Sequence, residues 1–371
     1  MLSEHIITSI DEYEVRTRYP RFIGKNAKIP AHSYGHTLKI IEITTDKSVS
    51  GFGLGRKDRL TVQSLIGKRV SDVFDPAIGI LDNSLFYADI ALHDLAGKIL
   101  GISVKKMISE SAVDRVPVYD GAIYMDDISP DRFPAGIDGL VEHCKSDAAR
   151  GYTDFKMKMG RQTWLGKPDG LVRDIEVVRA VRQAFPNARL LVDANDCYTL
   201  EEAIEFMEGI KDLGIYWVEE LFHENREDLI KFKKYLDENS PETIIADGEW
   251  APNYIHTAST LALVDELASE GLIDAVLMDT FDYGFTNWRK YIKNPNRASR
   301  LVSPHNWNNG LKTIYCSHLE AAYPDVIPTI EGVPDEIEGI DTSAYVMEDG
   351  LMTVPDAPGF GMQFIWGRKT S

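Results

Sequence analysis

The feature that most constrains the fold is a series of eight short apolar runs after residue 115. They recur every ~25–35 residues, and helical patterns lie between most of them. The runs are VPVYDGAI, TDFKMKMG, ARLLVDAN, IYWVEELF, ETIIADGEW, AVLMDTFD, RLVSPHN and PTIEGV. Eight strands that alternate with helices predict a (β/α)8 barrel over residues 116–349. A doubly wound sheet is the alternative, because strand order is not visible in one sequence, but no GxGxxG opens a helix and no P-loop motif occurs.

The first 115 residues follow a different pattern. The segment HTLKIIEITTDKSVSGFGLGR predicts two short strands joined by a polar turn. The segment NSLFYADIALHDLAGKILG has apolar residues at helical spacing, with Asn83 as its N-cap. Strands followed by a helix predict a separate α+β domain over residues 1–115.

Charge and composition limit the partners of the chain. The formal net charge of −18 argues against general nucleic-acid binding and against an anionic membrane surface. Three cysteines, odd in number and far apart, suggest a reducing compartment without a disulfide framework. No apolar run approaches the ~20 residues of a membrane span, and no signal-peptide pattern opens the chain. We therefore expect a cytoplasmic protein with neither a nucleic-acid nor a membrane partner.

The second apolar run, TDFKMKMG, carries two lysines on an otherwise apolar strand. Because side chains alternate along a strand, Phe155, Met157 and Met159 point one way. Lys156 and Lys158 then share the other face. Such a pair suits either a solvent-exposed edge or a charged site. The later strands favour the site, because they also end in ionisable residues.

Barrel enzymes place their active sites at the carboxyl ends of the strands. The polar residues at the ends of the later strands are Asp193, Asn195, Glu219, Glu220, Asp247, Glu249, Asp279, His305 and Glu331. Taken singly, each has a structural explanation. An acid can cap the next helix, Asp247 precedes a glycine in a turn, and Glu220 can serve as a salt-bridge or loop partner. Their occurrence together at matching strand ends predicts one functional site.

Three carboxylates from neighbouring strands form an all-oxygen site for a hard divalent cation, Mg2+ rather than Zn2+. Asp193, Glu219 and Glu249 are the best candidates, because each is separated from the next by one βα unit. Lysines that are desolvated and close to a cation have a lowered pKa, which makes a general base possible. His305 follows Asp279 by one unit, which suits an imidazole that a carboxylate orients.

The full set resembles the mandelate racemase subgroup of the enolase superfamily. The segments that carry the resemblance are FKMKMG, LLVDAN, WVEELF, DGEW, MDTFDYG, SPHNW and IEG. In addition, ALHDLAGKILG resembles the capping-domain helix of that family, and APGFGMQF resembles its C-terminal return. The resemblance implies an α/β fold, a modified TIM (β/α)8 barrel with an α+β capping domain, to which residues 350–371 return. It also implies Mg2+ as cofactor, a small carboxylate substrate and a homo-oligomer, from dimer to octamer.

The resemblance assigns roles to individual residues. Asp193, Glu219 and Glu249 bind Mg2+, and Lys158 abstracts the proton α to a substrate carboxylate. Lys156 helps to neutralise that carboxylate, and Glu331 hydrogen-bonds one of its oxygens as the enediolate forms. His305, oriented by Asp279, serves the opposite face of the substrate, and Asn195 is a weaker candidate for substrate contact.

Two motifs that are absent from the predicted strands narrow the choice of subgroup. Relatives that resemble muconate cycloisomerase or dipeptide epimerases carry a lysine on the sixth strand, where this chain has VLMDTFDYG. Amidohydrolase barrels need an HxH motif on an early strand, and the histidines of this chain never occur in that pattern. His32 and His36, in the first domain, are interpreted as structural or loop residues.

The expected reaction is the dehydration of an acid sugar, an aldonate or aldarate, to a 2-keto-3-deoxy acid. Many relatives with this residue set are dehydratases, and YEVRTRYPRFIGKNAK, the expected substrate loop, is basic. The basic residues of that loop are Arg16, Arg18, Arg21, Lys25 and Lys28. Racemisation or epimerisation of a 2-hydroxy acid is the alternative reaction. A non-catalytic sugar-acid-binding barrel and a metal-dependent aldolase are the alternatives from other classes.

Overall fold

The chain begins with an antiparallel sheet and a helix that packs on it. The computed structural model describes residues 1–60, 62–129, 135–249 and 258–370, so Trp250 of the DGEW segment lies outside the described residues. The strands of this first part are β1 (Ile7–Arg18), β2 (Thr37–Thr45), β3 (Ser50–Leu54), β4 (Phe74–Asp75) and β5 (Gly79–Ile80), and its α-helices are α1 (Asp89–Leu100) and α2 (Val104–Ile108). Strands β1, β2 and β3 pair in that order, and α1 covers one face of them.

The barrel follows, with one strand for each of the eight predicted runs. These strands are β6 (Arg115–Ile123), β7 (Phe155–Lys158), β8 (Leu190–Asp193), β9 (Ile215–Glu219), β10 (Ile244–Asp247), β11 (Ala275–Val276), β12 (Leu301–Val302) and β13 (Ile330–Gly332). They pair in parallel in sequence order from β6 to β12, and β13 pairs in parallel with β6. The Ser303 hydroxyl beside β12 donates to the Thr329 carbonyl beside β13, 2.8 Å away, so the two ends of the sheet meet.

Helices connect the barrel strands as the alternating pattern predicts. They are α3 (Gly136–Ala148), α4 (Gln162–Leu165), α5 (Asp169–Ala184), α6 (Leu200–Ile210), α7 (Arg226–Asn239), α8 (Ala258–Ser269), α9 (Thr280–Tyr283), α10 (Phe285–Lys293) and α11 (Gly310–Ala322). The barrel with an added α+β layer is therefore confirmed, and the doubly wound alternative is not the fold. None of the described helices has the length and apolar character needed to cross a bilayer.

The C-terminal segment returns to the first part of the chain. Its strands are β14 (Glu336–Ile337), β15 (Ile340–Asp341), β16 (Met347–Glu348), β17 (Leu351–Thr353), β18 (Gln363–Phe364) and β19 (Arg368–Thr370). Strands β14 and β19 both pair antiparallel with β1, and β17 pairs with the start of β6. Strand pairing with the first sheet thus begins at residue 336, before the predicted boundary at residue 350.

Alternation along the barrel strands sorts the side chains as the sequence predicts. On β7, Phe155 and Met157 belong to the core between strands and helices, whereas Lys156 and Lys158 point into the barrel. A separate apolar cluster fills the barrel interior, and it includes Leu191 and Trp217. The polar strand ends therefore lie above a dry, packed interior rather than beside solvent.

Asp94 ties three parts of the fold together from within α1. Its carboxylate accepts the backbone N–H of Phe52 on β3 and that of Phe360 in the C-terminal segment, each at 2.9 Å. The Lys98 ammonium lies 2.6 Å from the same carboxylate. The site is fully buried, so both N–H groups depend on this one acceptor.

We expect Asp94→Ala to lower the free energy of unfolding by at least about 2 kcal/mol, because two buried N–H groups lose their acceptor. Urea unfolding followed by circular dichroism measures the change. Asp58→Ala is the matched control. This aspartate is exposed, and its ion pair with Lys39 is long, at 3.9 Å, so the free energy of unfolding should fall by no more than about 0.5 kcal/mol. Equal losses in the two variants would contradict this role of Asp94.

Candidate active site

The register of three neighbouring strands brings charged residues to one level. Lys158 at the end of β7 pairs in register with Asp193 at the end of β8, and Asp193 pairs with Glu219 at the end of β9. On the other side of the barrel, β13 places Glu331 beside Tyr119 of β6. The sequence predicted each strand end separately, and the register shows that these ends lie side by side.

The three predicted metal ligands lie together. Asp193, Glu219 and Glu249 each offer a carboxylate oxygen, and these oxygens lie within 4.8 Å of one another. All three residues are buried. Carboxylate oxygens at such separations suit a hard cation such as Mg2+, so the residues fit the predicted metal.

Lys156 lies at the centre of this carboxylate group. Its Nζ is 2.7 Å from Glu219 Oε1, 3.0 Å from Glu331 Oε1 and 3.6 Å from Asp193 Oδ2. Burial alone would lower the pKa of Lys156, but Glu219 and Glu331 raise it well above its usual value. Lys156 is therefore a fixed positive charge within the site.

Lys158 makes an ion pair with Asp193 Oδ2. Burial lowers the pKa of Lys158, yet the Asp193 charge outweighs it and raises the pKa above the usual value. The sequence predicted a lowered pKa for a desolvated lysine beside a bound cation, and this stays a prediction for the metal-bound protein. The protein groups by themselves raise the pKa of Lys158, because the charge closest to it is the Asp193 carboxylate.

The carboxylates in turn respond to the lysines. Burial raises the pKa of Glu219 to about 8, although Lys156 opposes the shift. Burial also opposes ionisation of Asp193, but Lys158 and Lys156 together hold its pKa below the usual range. Asp193 thus favours its ionised form more than Glu219 does.

Charge counting shows an excess of negative charge in this buried group. Its carboxylates are Asp193, Glu219, Glu249, Asp279 and Glu331, and its ammonium groups are Lys156, Lys158 and Lys312. With every acid ionised and His305 protonated, one negative charge remains. Buried charges need compensation, and a cation bound at these carboxylates would supply it.

His305 lies on the other side of the carboxylates. Its Nδ1 is 3.1 Å from Asp279 Oδ2, while its Nε2 is 3.4 Å from Glu249 Oε2 and 3.6 Å from Glu331 Oε2. Burial lowers the pKa of His305, but Glu249, Glu331 and Asp279 raise it above the usual value. The imidazole therefore favours its protonated form, which suits a proton donor.

Glu331 is held from two sides. Its Oε1 faces Lys156, and its Oε2 accepts the backbone N–H of Asn306, 3.1 Å away. Burial opposes ionisation, but Lys156 and His305 lower the pKa of Glu331. A Cβ on Gly121 would lie 2.4 Å from Glu331 Oε1, so the glycine in YDGAI leaves room for this carboxylate. Glu331 accepts hydrogen bonds in this arrangement, and its predicted contact with substrate stays a prediction.

Asn195 and Glu220 border the carboxylates with left-handed backbones, at φ 47° and 42°. The Asn195 N–H donates to Asp193 Oδ1, 3.0 Å away. Glu220 is buried, and burial together with Glu249 and Asp196 raises its pKa well above the usual value. Glu220 Oε2 has no hydrogen-bond partner among the described residues. The predicted salt bridge of Glu220 is therefore not found among the described residues. Its role as a loop partner stays a prediction.

A second acidic group lies nearby but is more exposed. Asp196, His223 and Glu224 also offer atoms within 4.8 Å of one another. The His223 side chain is 80% exposed, and the Lys28 ammonium lies 2.8 Å from Asp196. This group is therefore partly solvated and partly neutralised, unlike the buried carboxylates at the strand ends.

Two charged residues that support the site were missed at the sequence level. Lys312, in the first turn of α11, has its Nζ 2.6 Å from Asp279 Oδ2. Arg161, fully buried, donates to the Lys158 carbonyl at 2.9 Å and pairs with Asp127 and Asp174. The signal for Arg161 was present, because it directly follows the KMKMG segment.

The first part of the chain contributes a loop over the barrel mouth. The Tyr19 hydroxyl donates to the Asn308 carbonyl at 2.7 Å, and His32 packs against Tyr124 and Trp307. Lys158 Nζ is 5.6 Å from the centre of the Tyr124 ring. Burial lowers the pKa of His32 to about 4, so this histidine is neutral at neutral pH. His32 thus belongs to an aromatic cluster beside Lys158.

Four of the five basic residues in the expected substrate loop bind protein groups, and two of the five, Arg16 and Arg18, lie on β1 and not in a loop. Arg21 pairs with buried Asp147 at 2.6 Å, and Lys25 lies over the Trp164 ring at 4.7 Å. Arg18 pairs with Glu338, and Lys28 pairs with Asp196, as above. Arg16 is exposed in a groove of about 620 Å³ between residues 16–20 and 33–37. The substrate contacts expected of these residues stay predictions.

A barrel that brings lysines, a histidine and buried carboxylates together at its strand ends has the residue types that metal-assisted proton-transfer enzymes use. Residues 139–367 match the family described as enolase C-terminal domain-like. The chain belongs to this family. The predicted relation to the enolase superfamily is thereby confirmed.

Curated relatives are similar over most of the chain. The D-galactarolactone cycloisomerase of Agrobacterium fabrum is 27% identical over 300 residues, which cover 77% of this chain and 72% of that protein. The D-gluconate/D-galactonate dehydratase of Picrophilus torridus is 25% identical over 282 residues, which cover 74% of this chain and 67% of that protein.

Solved structures agree with this relation. A galacturonate dehydratase from a Geobacillus species, in complex with Mg, has a TM-score of 0.88 and 27% identity over 98% of this chain and 93% of that chain. A mandelate racemase/muconate lactonizing protein from a Geobacillus species, in complex with magnesium and tartrate, has a TM-score of 0.87 at the same identity, with 98% and 93% covered. With these relatives the chain is identified as an enzyme of the lyase class.

We expect Glu249→Gln to weaken Mg2+ binding at least about 10-fold. Loss of a residue that only supports a metal ligand already weakens binding by about this factor, and Glu249 is itself a predicted ligand. Isothermal titration of the metal-free protein with MgCl2 measures the affinity. Glu224→Gln, in the group of Asp196, His223 and Glu224, is the matched control, and its affinity should match that of the wild type. If Glu224→Gln weakens binding as much as Glu249→Gln, the ion binds at that second group instead.

Proposed function

We propose that this protein removes the proton α to a carboxylate of an acid sugar and expels the β-hydroxyl as water. The observation that carries the proposal is the placement of two proton carriers around one carboxylate group. Lys158 contacts Asp193, and His305 Nε2 lies 3.4 Å from Glu249. A substrate bound at these carboxylates would have a proton carrier on each side.

The predicted Mg2+ fits Asp193, Glu219 and Glu249, and when bound it supplies positive charge that stabilises a developing dianion. Lys156 adds a fixed positive charge next to the same oxygens. Lys158 holds its proton on account of Asp193, so any neutralisation of Asp193 would help Lys158 to act as a base. These residues suit the abstraction step.

The elimination step needs a proton donor at the β-hydroxyl. The Cα–H bond breaks to a base, the electron pair forms the C=C bond of an enol, and the β C–O bond breaks. His305 favours the protonated form and can donate to the departing hydroxyl, which leaves as water. The enol then becomes the keto group of a 2-keto-3-deoxy acid.

Relatives support an acid-sugar substrate. Their names include D-gluconate/D-galactonate dehydratase, probable glucarate dehydratase and arabinonate dehydratase. A Geobacillus galacturonate dehydratase is solved with D-galacturonate and 5-keto-4-deoxy-D-galacturonate, with a TM-score of 0.86 to this chain. In that uronate the bonds to C5–H and C4–O correspond to the α and β bonds described above. We include uronates with aldonates and aldarates in the proposed substrate class.

Racemisation or epimerisation remains the second candidate. The same two-sided placement of Lys158 and His305 allows a proton to leave one face and return to the other. The two reactions differ in their product, because inversion retains the β-hydroxyl. The predicted homo-oligomer and cytoplasmic location stay predictions.

A panel of acids with Mg2+ tests the reaction. The panel contains D-gluconate, D-galactonate, D-galacturonate, galactarate and glucarate, with keto acids detected by semicarbazide and products identified by proton NMR. We expect a keto-deoxy acid from at least one member. Inversion at the α carbon without a keto product would favour the racemase or epimerase. Mg2+ binding with neither result would favour a barrel that only binds acids.

Two variants test the assignment of the proton carriers. We expect Lys158→Ala and His305→Asn each to reduce turnover of the accepted acid by about 10²- to 10⁴-fold, the contribution of a general acid or base. Initial rates at saturating acid measure the loss. Lys106→Ala is the control, because this lysine bonds the Glu110 and Ala112 carbonyls far from the barrel mouth. Full activity in either site variant would contradict its role.

A further inference from the structure

Lys312 lies where an isolated lysine is unfavourable. It occupies the first turn of α11, and its N–H donates to the side chain of the N-cap residue Asn309. The N-terminus of a helix carries partial positive charge, which disfavours a cation there. The Lys312 side chain is also only 12% exposed, so its charge is largely removed from water. Both costs need compensation by a nearby acid.

Asp279 provides that compensation, and it is held by four donors. Asp279 Oδ1 accepts the N–H groups of Phe281 and Asp282, at 2.9 and 3.1 Å. Asp279 Oδ2 accepts from Lys312 Nζ at 2.6 Å and from His305 Nδ1 at 3.1 Å. The lysine and the imidazole therefore share one oxygen, and the carboxylate has little freedom to rotate.

The backbones around this oxygen are fixed as well. Asp279 and His305 form a parallel bridge, and the Asp279 N–H donates to the Glu249 carbonyl at 3.3 Å. The remaining freedom lies in the side chains. The contact of Nδ1 with Asp279 aims the opposite nitrogen, Nε2, toward Glu249 and Glu331. Anything that fixes Asp279 therefore also fixes the direction of Nε2.

We propose that Lys312 is a positioning residue, which holds the Asp279 carboxylate so that the His305 imidazole keeps its Nε2 directed into the site. The inference rests on the proposed function, because the value of this direction is proton transfer to substrate. Lys312 acts through Asp279, its hydrogen-bond and ion-pair partner among the described residues. A purely structural role between barrel and first domain would leave the imidazole unaffected.

The hydrogen bond of His305 can be observed without any substrate. In protein with 15N-labelled histidine, the His305 Nδ1–H gives a slowly exchanging resonance, assigned by its loss in His305→Asn. His93 is an internal control: its Nδ1 lies 2.8 Å from the Asp89 carbonyl, and its Nε2 lies 2.9 Å from Arg289 Nη1. We expect Lys312→Met to abolish the slow exchange of the His305 proton but not that of His93. Lys312→Arg, which keeps charge and donors, should retain both.

An unchanged His305 resonance in Lys312→Met would overturn the proposal. If Lys312→Met loses both resonances, the variant is globally disturbed, and Lys312→Gln replaces it under the same criteria. The measurement needs no turnover, so its result stands whether or not the proposed reaction is correct.

Kinetics with the accepted acid of the panel give the second readout. We expect Lys312→Met to lower kcat by about 10- to 100-fold, the effect of losing an outer partner of a site. KM should stay unchanged, because in this proposal Lys312 acts through Asp279 and not on the substrate. Lys312→Arg should recover most of the rate. An unchanged kcat with a raised KM would contradict positioning and indicate substrate binding. Absence of turnover in the wild type would count against the proposed function, while the resonance test would still decide the role of Lys312.

Discussion

The site depends on the parallel register of β7, β8 and β9. This register sets Lys158, Asp193 and Glu219 side by side at one level, above the buried interior that contains Trp217. A slip of one residue on any of these strands would turn its charged end toward the apolar shell, because side chains alternate. The apolar residues between strands and helices therefore fix the register, and the register fixes the chemistry.

The charges brought together in this way do not balance within the chain. Lys156 and Lys158 neutralise part of the carboxylate group, yet an excess of negative charge remains at a buried position. Such an arrangement is costly for stability unless a cation binds. The same excess explains why the pKa values of both lysines and of His305 are raised. In the proposed function, metal binding and proton transfer would therefore be coupled through the same carboxylates.

The sequence predicted the barrel strands and the position of the metal ligands, because a barrel repeats one unit in which polar residues follow an apolar strand. Each apolar run became a strand, and the predicted ligands Asp193, Glu219 and Glu249 lie together at the strand ends. The relation to the enolase superfamily was carried by those same segments. Features that depend on individual contacts were not predicted. The ion pair of Lys158 with Asp193, which raises the pKa of the lysine, is one of them.

Contacts between residues far apart in the sequence were also out of reach. Arg21, in the expected substrate loop, pairs with Asp147, which lies on α3. Lys312 contacts Asp279 across 33 residues, and no spacing rule connects α11 with the end of the sixth barrel strand. The pairing of β14 with β1 begins the C-terminal return earlier than the sequence indicated. These are tertiary contacts, and local sequence patterns do not specify them.

The central claim is that these residues remove a proton α to a carboxylate. The most direct measurement uses acids that cannot eliminate, the 3-deoxy analogue of D-galactonate and the 4-deoxy analogue of D-galacturonate, in D2O with Mg2+. Proton NMR then reports exchange at the α carbon alone. The account predicts exchange by the wild type that EDTA abolishes. Retention of the α proton in both analogues, while Mg2+ and the acids bind, would contradict it.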